Sequence, residues 1–196
     1  MKNLISSVLV VLLCVSCNSE AKKILNELPN EMENIQENNE LSAGQKVAQK
    51  LADITPLSAD AMRKAFPKQL NPLHVDENVV VIGQQIIGSF GDKKVSISIA
   101  DAAGEANQLA AHMVDSYALD EHQETQNFKV VKQERNGMET LSDYYITTGK
   151  SEIRFLYHQR FYVTFSNNDN KVKMNPDELW EAFDVNALKG YQEMNK

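Results

Sequence analysis

Val79–Phe90 reads VVVIGQQIIGSF and Val95–Ala100 reads VSISIA, with Gly91-Asp92-Lys93-Lys94 between them. The first stretch is dominated by β-branched residues, which suit a pleated surface. It predicts one strand, bent at Gly83 or Gly88. In the second stretch Val95, Ile97 and Ile99 alternate with Ser96, Ser98 and Ala100, the pattern of a half-buried strand. Gly91-Asp92-Lys93 supplies the turn. The two form a hairpin.

Downstream, Asp101-Ala-Ala-Gly104 ends the strand, and a helix is expected from about Glu105 to Tyr117, with Leu109, Met113 and Tyr117 on one face. Phe128–Glu134 and Met138–Thr147 flank the hairpin turn Asn136-Gly137. Gly149-Lys150 turns again into Ile153, Phe155 and Tyr157. His158-Gln159 turns once more into Phe161, Val163 and Phe165. A final helix opens at Asn175-Pro176-Asp177-Glu178: Asn caps, Pro takes the first position and the acids suit the positive helix end. Leu179, Trp180 and Phe183 supply its buried side.

Upstream, Ser42-Ala-Gly-Gln45 has the form of a capping box, with Val47, Leu51 and Ile54 following on one face. Thr55-Pro56 stops that helix. Ser58 caps a second short helix, Ala59–Phe66, with Leu57 placed to pack on Met62. Asn71-Pro72 marks a loop leading to the sheet. Consecutive hairpins imply an α+β fold. The expectation is an antiparallel sheet of five to six strands with helices on one side, preceded by short N-terminal helices, all within residues 43–196. The element order is similar to that of Mog1/PsbP-like domains. No residue motif accompanies that likeness, so it implies a fold and no function.

The chain begins MKNLISSVLVVLLCVSC. Lys2 gives a positive start, Leu4–Leu13 an apolar run, and Ser16 a small residue before Cys17. This is the order of a secretory signal. The run is shorter than the ~20 residues a membrane span needs. With Ser16-Cys17 followed by polar Asn18, the segment resembles the lipobox of bacterial lipoproteins, although Cys14 stands where that family favours leucine. The resemblance implies removal of residues 1–16 and lipidation of Cys17. The acyl chains would then hold the protein on a membrane, each buried methylene contributing ~0.8 kcal/mol. Asn18 in place of aspartate implies the outer membrane, where the envelope has two. Residues 17–42, rich in Asn, Glu and Lys, read as a tether. Within it Ile24, Leu28, Met32 and Ile35 fall at helical spacing, and Pro29 limits any helix.

Composition narrows the function. The chain carries 20 Lys+Arg against 27 Asp+Glu, a net charge of -7. Removing residues 1–16 takes away only Lys2 and leaves -8. That balance argues against nucleic acid as a partner. Both cysteines lie in the first seventeen residues, so the body has no disulfide and no thiol nucleophile. GxSxG, P-loop and dinucleotide patterns are absent. Asp101 and Glu105 flank Gly104 as a conceivable carboxylate pair, although Asp101 more simply turns or caps the backbone.

Three readings remain. The first is a non-catalytic lipid-anchored envelope protein without cofactor, binding an envelope protein, a glycan or a small apolar ligand. The surface offered for it is aromatic: Tyr145 and Tyr162 fall on the strand face away from the core, with Arg154, His158 and Arg160 nearby. The second is a metal-assisted enzyme using His112, Asp115 and His122, with Asp120, Glu121 and Glu124 close in sequence. The third is an acidic inhibitor or immunity-type protein that binds a basic target.

Overall fold

The computed structural model describes residues 40–70, 72–119, 123–169 and 171–195. The signal, Cys17, the tether helix and the segment Asp120-Glu121-His122 lie outside them. Leu41–Lys196 cluster as one compact unit. Two helices come first, Ala43–Ala52 (α1) and Ala59–Ala65 (α2). A small ribbon follows, Gln69–Leu70 (β1) paired with Leu73–His74 (β2). The main sheet is built from Val80–Ile82 (β3), Gln85–Phe90 (β4), Val95–Asp101 (β5), Phe128–Arg135 (β6), Met138–Tyr145 (β7), Lys150–Tyr157 (β8) and Phe161–Asn167 (β9). Gln108–Ala118 (α3) joins β5 to β6. Pro176–Ala182 (α4) and Lys189–Met194 (α5) close the described chain.

The architecture is α+β, and the main sheet has seven antiparallel strands in the order β3-β4-β5-β9-β8-β7-β6. This exceeds the five to six expected, for a local reason. Val79–Phe90 is two strands, because Gly83 adopts φ +57° and turns the chain so that Ile82 pairs with Gln85. A β-branched residue resists that conformation, while glycine adopts it freely. Gly88 does not bend the strand: it sits within β4, and a Cβ there would lie 2.7 Å from the Phe66 ring. The missing side chain lets that ring pack directly on the backbone.

The alternation expected of Val95–Ala100 holds through β5 and recurs in β8 and β9, where every second residue is buried. Ile97, Ile99, Ile153, Phe155, Val163 and Phe165 line one face. Met62 and Phe66 at α2, Leu179 and Phe183 at α4, and Leu188 and Tyr191 near α5 complete that core. Each large side chain so buried contributes ~1.5–3 kcal/mol, which makes this face the main source of stability.

Helices occupy both faces, not one. Leu156 and Tyr162 pair across β8 and β9 and point opposite to Phe155 and Phe161. There α3 packs on β7, β8 and β9, and α1 packs on α3. Leu51, Ala102 and Ala110 form this second, smaller cluster with Val47, Ile54 and Leu156. The strands permit it because Ala100, Leu156 and Leu141 place apolar side chains on the second face at one end only. Elsewhere that face carries the cross-strand row Ser89, Ser96, Ser166, Glu152, Asp143. It is polar, and no helix among the described residues packs on it, as on one face of many antiparallel sheets.

The caps follow the sequence. Ser42 Oγ accepts from the Gln45 amide at 3.0 Å, and Gln45 Oε1 accepts from the Ser42 amide at 2.8 Å. Asn175 and Glu178 form the same reciprocal pair at α4, with Pro176 at its start. The helix expected from Glu105 begins as a 3-10 turn, Gly104–Ala106, before α3 proper. The turn at Val185–Leu188 and α5 are elements that the sequence reading did not include.

Candidate functional site

The aromatic surface expected around Tyr145 and Tyr162 is dispersed. Tyr162 and Arg154 share the second face, and burial against α3 is the main cause raising the Tyr162 pKa above its ordinary value. Arg154 donates to Asp143 at 2.7 Å and lies 3.8 Å from Glu152. Tyr145 is exposed at the far corner, against Phe128. His158 sits in a tight turn at φ +50°, its ring against Tyr157. Arg160 leaves the surface entirely: it is 5% exposed and held by Asp101, which is fully buried. Arg160 Nε donates to Asp101 Oδ1 at 2.7 Å, and Nη2 donates to Oδ2 at 2.8 Å and to the Thr55 carbonyl at 3.2 Å. The same carboxylate accepts from the Leu57 amide at 2.8 Å and the Ala103 amide at 3.2 Å. Asp101 therefore does not pair with Glu105. It clamps the β5–β9 end to the α1–α2 connection.

The histidine–carboxylate set is also committed elsewhere. Asp115 Oδ1 accepts from the Gly44 amide at 2.9 Å and Oδ2 accepts from Ser42 Oγ at 2.9 Å, so it caps α1 from outside. His112 Nδ1 meets Ser116 Oγ at 3.3 Å. His122 lies outside the described residues. Among the described residues no three His, Cys, Asp or Glu gather at metal-binding distance.

A concave site lies at the opposite end of β5 and β9 from the clamp. It is an apolar crevice of about 270 Å³. Leu70 and Leu73 of the ribbon, Val95 and Phe165 of the sheet, and Val172 and Met174 of the loop after β9 form its walls. Ala182 at the end of α4 closes it, and Lys94 and Asp169 stand on its rim. The size approaches the ~300 Å³ at which small-molecule pockets begin.

Hydrogen bonds hold the walls in place. Asn167, 2% exposed, donates from Nδ2 to the Val172 carbonyl at 2.9 Å, and its Oδ1 accepts from the Asp169 amide at 3.0 Å. Ser151 Oγ donates to the Met174 carbonyl at 2.8 Å. On the other side Asp76 ties the Gly91–Lys94 turn to the ribbon's exit. It accepts from Ser89 Oγ at 2.6 Å and from the Lys93 and Asp92 amides at 2.9 and 3.0 Å. The Ser89 bond foremost, then those amides, holds its carboxyl below the usual range. Gly91 at φ +62° begins that turn, and Leu73 packs where its Cβ would stand. These bonds leave the side-chain amide of Asn167 engaged and the cavity surface almost wholly apolar.

The sequence reading did not find this site, because its walls come from four separated segments. One local signal existed: Val172 and Met174 alternate with Lys171 and Lys173 in a stretch that belongs to no strand.

Among the described residues no helix is long and apolar enough to cross a membrane. No family model, no curated protein and no solved structure matches this chain.

Proposed function

We propose that this chain is a lipid-anchored, non-catalytic protein of a bacterial cell envelope, and that its α+β domain binds a small apolar ligand. The N-terminal order of Lys2, the Leu4–Leu13 run and Ser16-Cys17 supports the anchor, with cleavage before Cys17 and acylation of its thiol. Asn18 favours display on the outer membrane of a two-membrane envelope.

The observation that carries the binding reading is the crevice between β1–β2, β5–β9 and the Val172–Met174 loop. A domain of this size fills its interior to crystal-like density, with few voids larger than a water molecule. Here hydrogen bonds of Asn167, Ser151 and Asp76 fix the segments around a crevice whose lining is almost wholly apolar. Among the ligands open to an envelope protein, this geometry favours a small apolar one over a glycan, whose hydroxyls would find no partners inside it.

The anchor is tested by the intact mass of the protein isolated from membranes, beside a Cys17→Ala form. A mass fitting cleavage before Cys17 plus acyl chains, lost on substitution, is the expected result. An unmodified chain cut elsewhere would replace the anchored reading with free secretion.

A further inference from the structure

The apolar ligand carries an anionic head: we infer that the crevice takes the alkyl tail of a single-chain anionic amphiphile, with Lys94 at its mouth receiving the carboxylate or phosphate. This rests on the crevice being a ligand site and names the ligand's chemical class. Two observations support it, one of shape and one of charge.

The tail follows from the walls. Scaled from the ~150 Å³ apolar cavity that takes benzene, a volume of about 270 Å³ takes roughly ten carbons. The polar side chain nearest the floor, Asn167, spends its amide on the Val172 and Gly149 carbonyls and its oxygen on the Asp169 amide. A polar group entering the crevice would lose its water and gain no partner, whereas methylenes gain.

The head follows from the rim. The protein is acidic overall, yet the two rim segments, Asp92–Val95 and Asp169–Met174, hold Lys93, Lys94, Lys171 and Lys173 against Asp92 and Asp169. Lys94 lines the mouth, is exposed, and makes no salt bridge among the described residues. Asp169 on the same rim accepts from the Lys171 amide at 2.8 Å. Lys173 reaches away, across Gly149 to the Thr147 carbonyl at 3.5 Å. Lys94 is thus the cation placed to meet a head at the end of an inserted tail.

The test uses the full chain in phosphatidylcholine vesicles and a photoactivatable diazirine analogue of decanoate, with the labelled peptides mapped by mass spectrometry. Label is expected on the segments around Leu73, Val95 and Val172–Met174. Competition by unlabelled carboxylates should strengthen about fourfold per methylene from hexanoate to decanoate, then level off once the crevice is full. Decanoate should compete about threefold better than decanol, as an ion pair at an exposed lysine gives. Lys94→Gln should remove that preference and leave decanol unchanged. Val172→Glu, at a loop position 45% exposed, should abolish crevice labelling while circular dichroism shows the sheet intact.

Each alternative outcome is informative. If decanol competes as well as decanoate while label stays in the crevice, the anionic class is overturned and the apolar-ligand reading stands. If Lys94→Gln keeps the preference, the head group is not received by Lys94, and the inference fails in that part. If label is absent from the crevice, or survives Val172→Glu there, both the inference and the reading beneath it fall. Lysophosphatidylglycerol in place of decanoate separates a lipid source from a free carboxylate, since only the class that displaces label at lower concentration is the preferred occupant.

Discussion

Strands β5 and β9 form one antiparallel pair whose two ends are built differently. At one end Asp101 faces Phe161; at the other Val95 faces Asn167. The first end is closed. Asp101 is fully buried and spends both oxygens on Arg160 and on two backbone amides, while Tyr191 packs edge-on against Phe161 at 5.1 Å. The second end is open. Its buried polar residue, Asn167, serves a loop and not the sheet, and beside it lies the crevice.

The largest effect should come from breaking the closed end. Asp101→Asn leaves the Arg160 guanidinium buried without its countercharge, which costs about 3–5 kcal/mol. Urea denaturation of the variant beside the parent measures this. A loss below about 1 kcal/mol would mean that Arg160 escapes to solvent and that the pair is not a clamp. Replacing both partners by apolar residues should recover only part of the loss, because the Leu57 and Ala103 amides would lose their acceptor.

The open end should respond less, and locally. Asn167→Ala removes the bonds to Val172 and Asp169, at about 1–3 kcal/mol for a buried polar site left unsatisfied. The expected signature is faster tryptic cutting at Lys171 and Lys173, with the sheet intact by circular dichroism. Cutting unchanged at both lysines would show that Ser151 and the Met174–Gly149 backbone bond suffice to hold the loop.

The same contrast explains what could be read from the sequence. Ser96 and Ser98 among Val95, Ile97 and Ile99 announce a strand with one face in and one out, and the structure shows that. Gly83-Gln84 hid a turn because β-branched residues resume just past Gln84-Gln85, at Ile86 and Ile87. The second helical layer was missed because Ala102, Ala110 and Ala111 carry little apolar surface. Leu141, Leu156 and Tyr162 had marked its place on the sheet. Arg160 looked like a surface cation because its partner lies 59 positions earlier, and no local pattern records so distant a pair. The crevice was invisible for the complementary reason: Leu70, Val95 and Phe165 each look like ordinary core, and only their arrangement leaves space. The curtailed alternation at Val172–Met174 was its one trace.

The smallest predicted effect separates the closed end's hydrogen bonding from its charge. Tyr191 is fully buried and its hydroxyl donates to the Met62 carbonyl at 3.0 Å. Burial first, and the Asp101 carboxylate second, push its pKa above the ordinary value near 10. In the folded protein the phenol thus stays protonated where the unfolded chain begins to ionise. The stability it contributes is fully present below about pH 10 and is lost as the pH rises toward the folded value, at about 1.4 kcal/mol per unit. Tyr157 and Tyr162, raised by burial in the same direction, add to the alkaline decline and remain in the variant. Tyr191→Phe should therefore cost about 1 kcal/mol at pH 8, the value of one buried hydrogen bond. The gap between variant and parent should close by about pH 11, because phenylalanine has no proton to lose in the unfolded chain. Urea midpoints at the two pH values decide it. A gap unchanged across that range would mean that the Tyr191 hydroxyl ionises equally in both states, and that the closed end is wetter than its geometry requires.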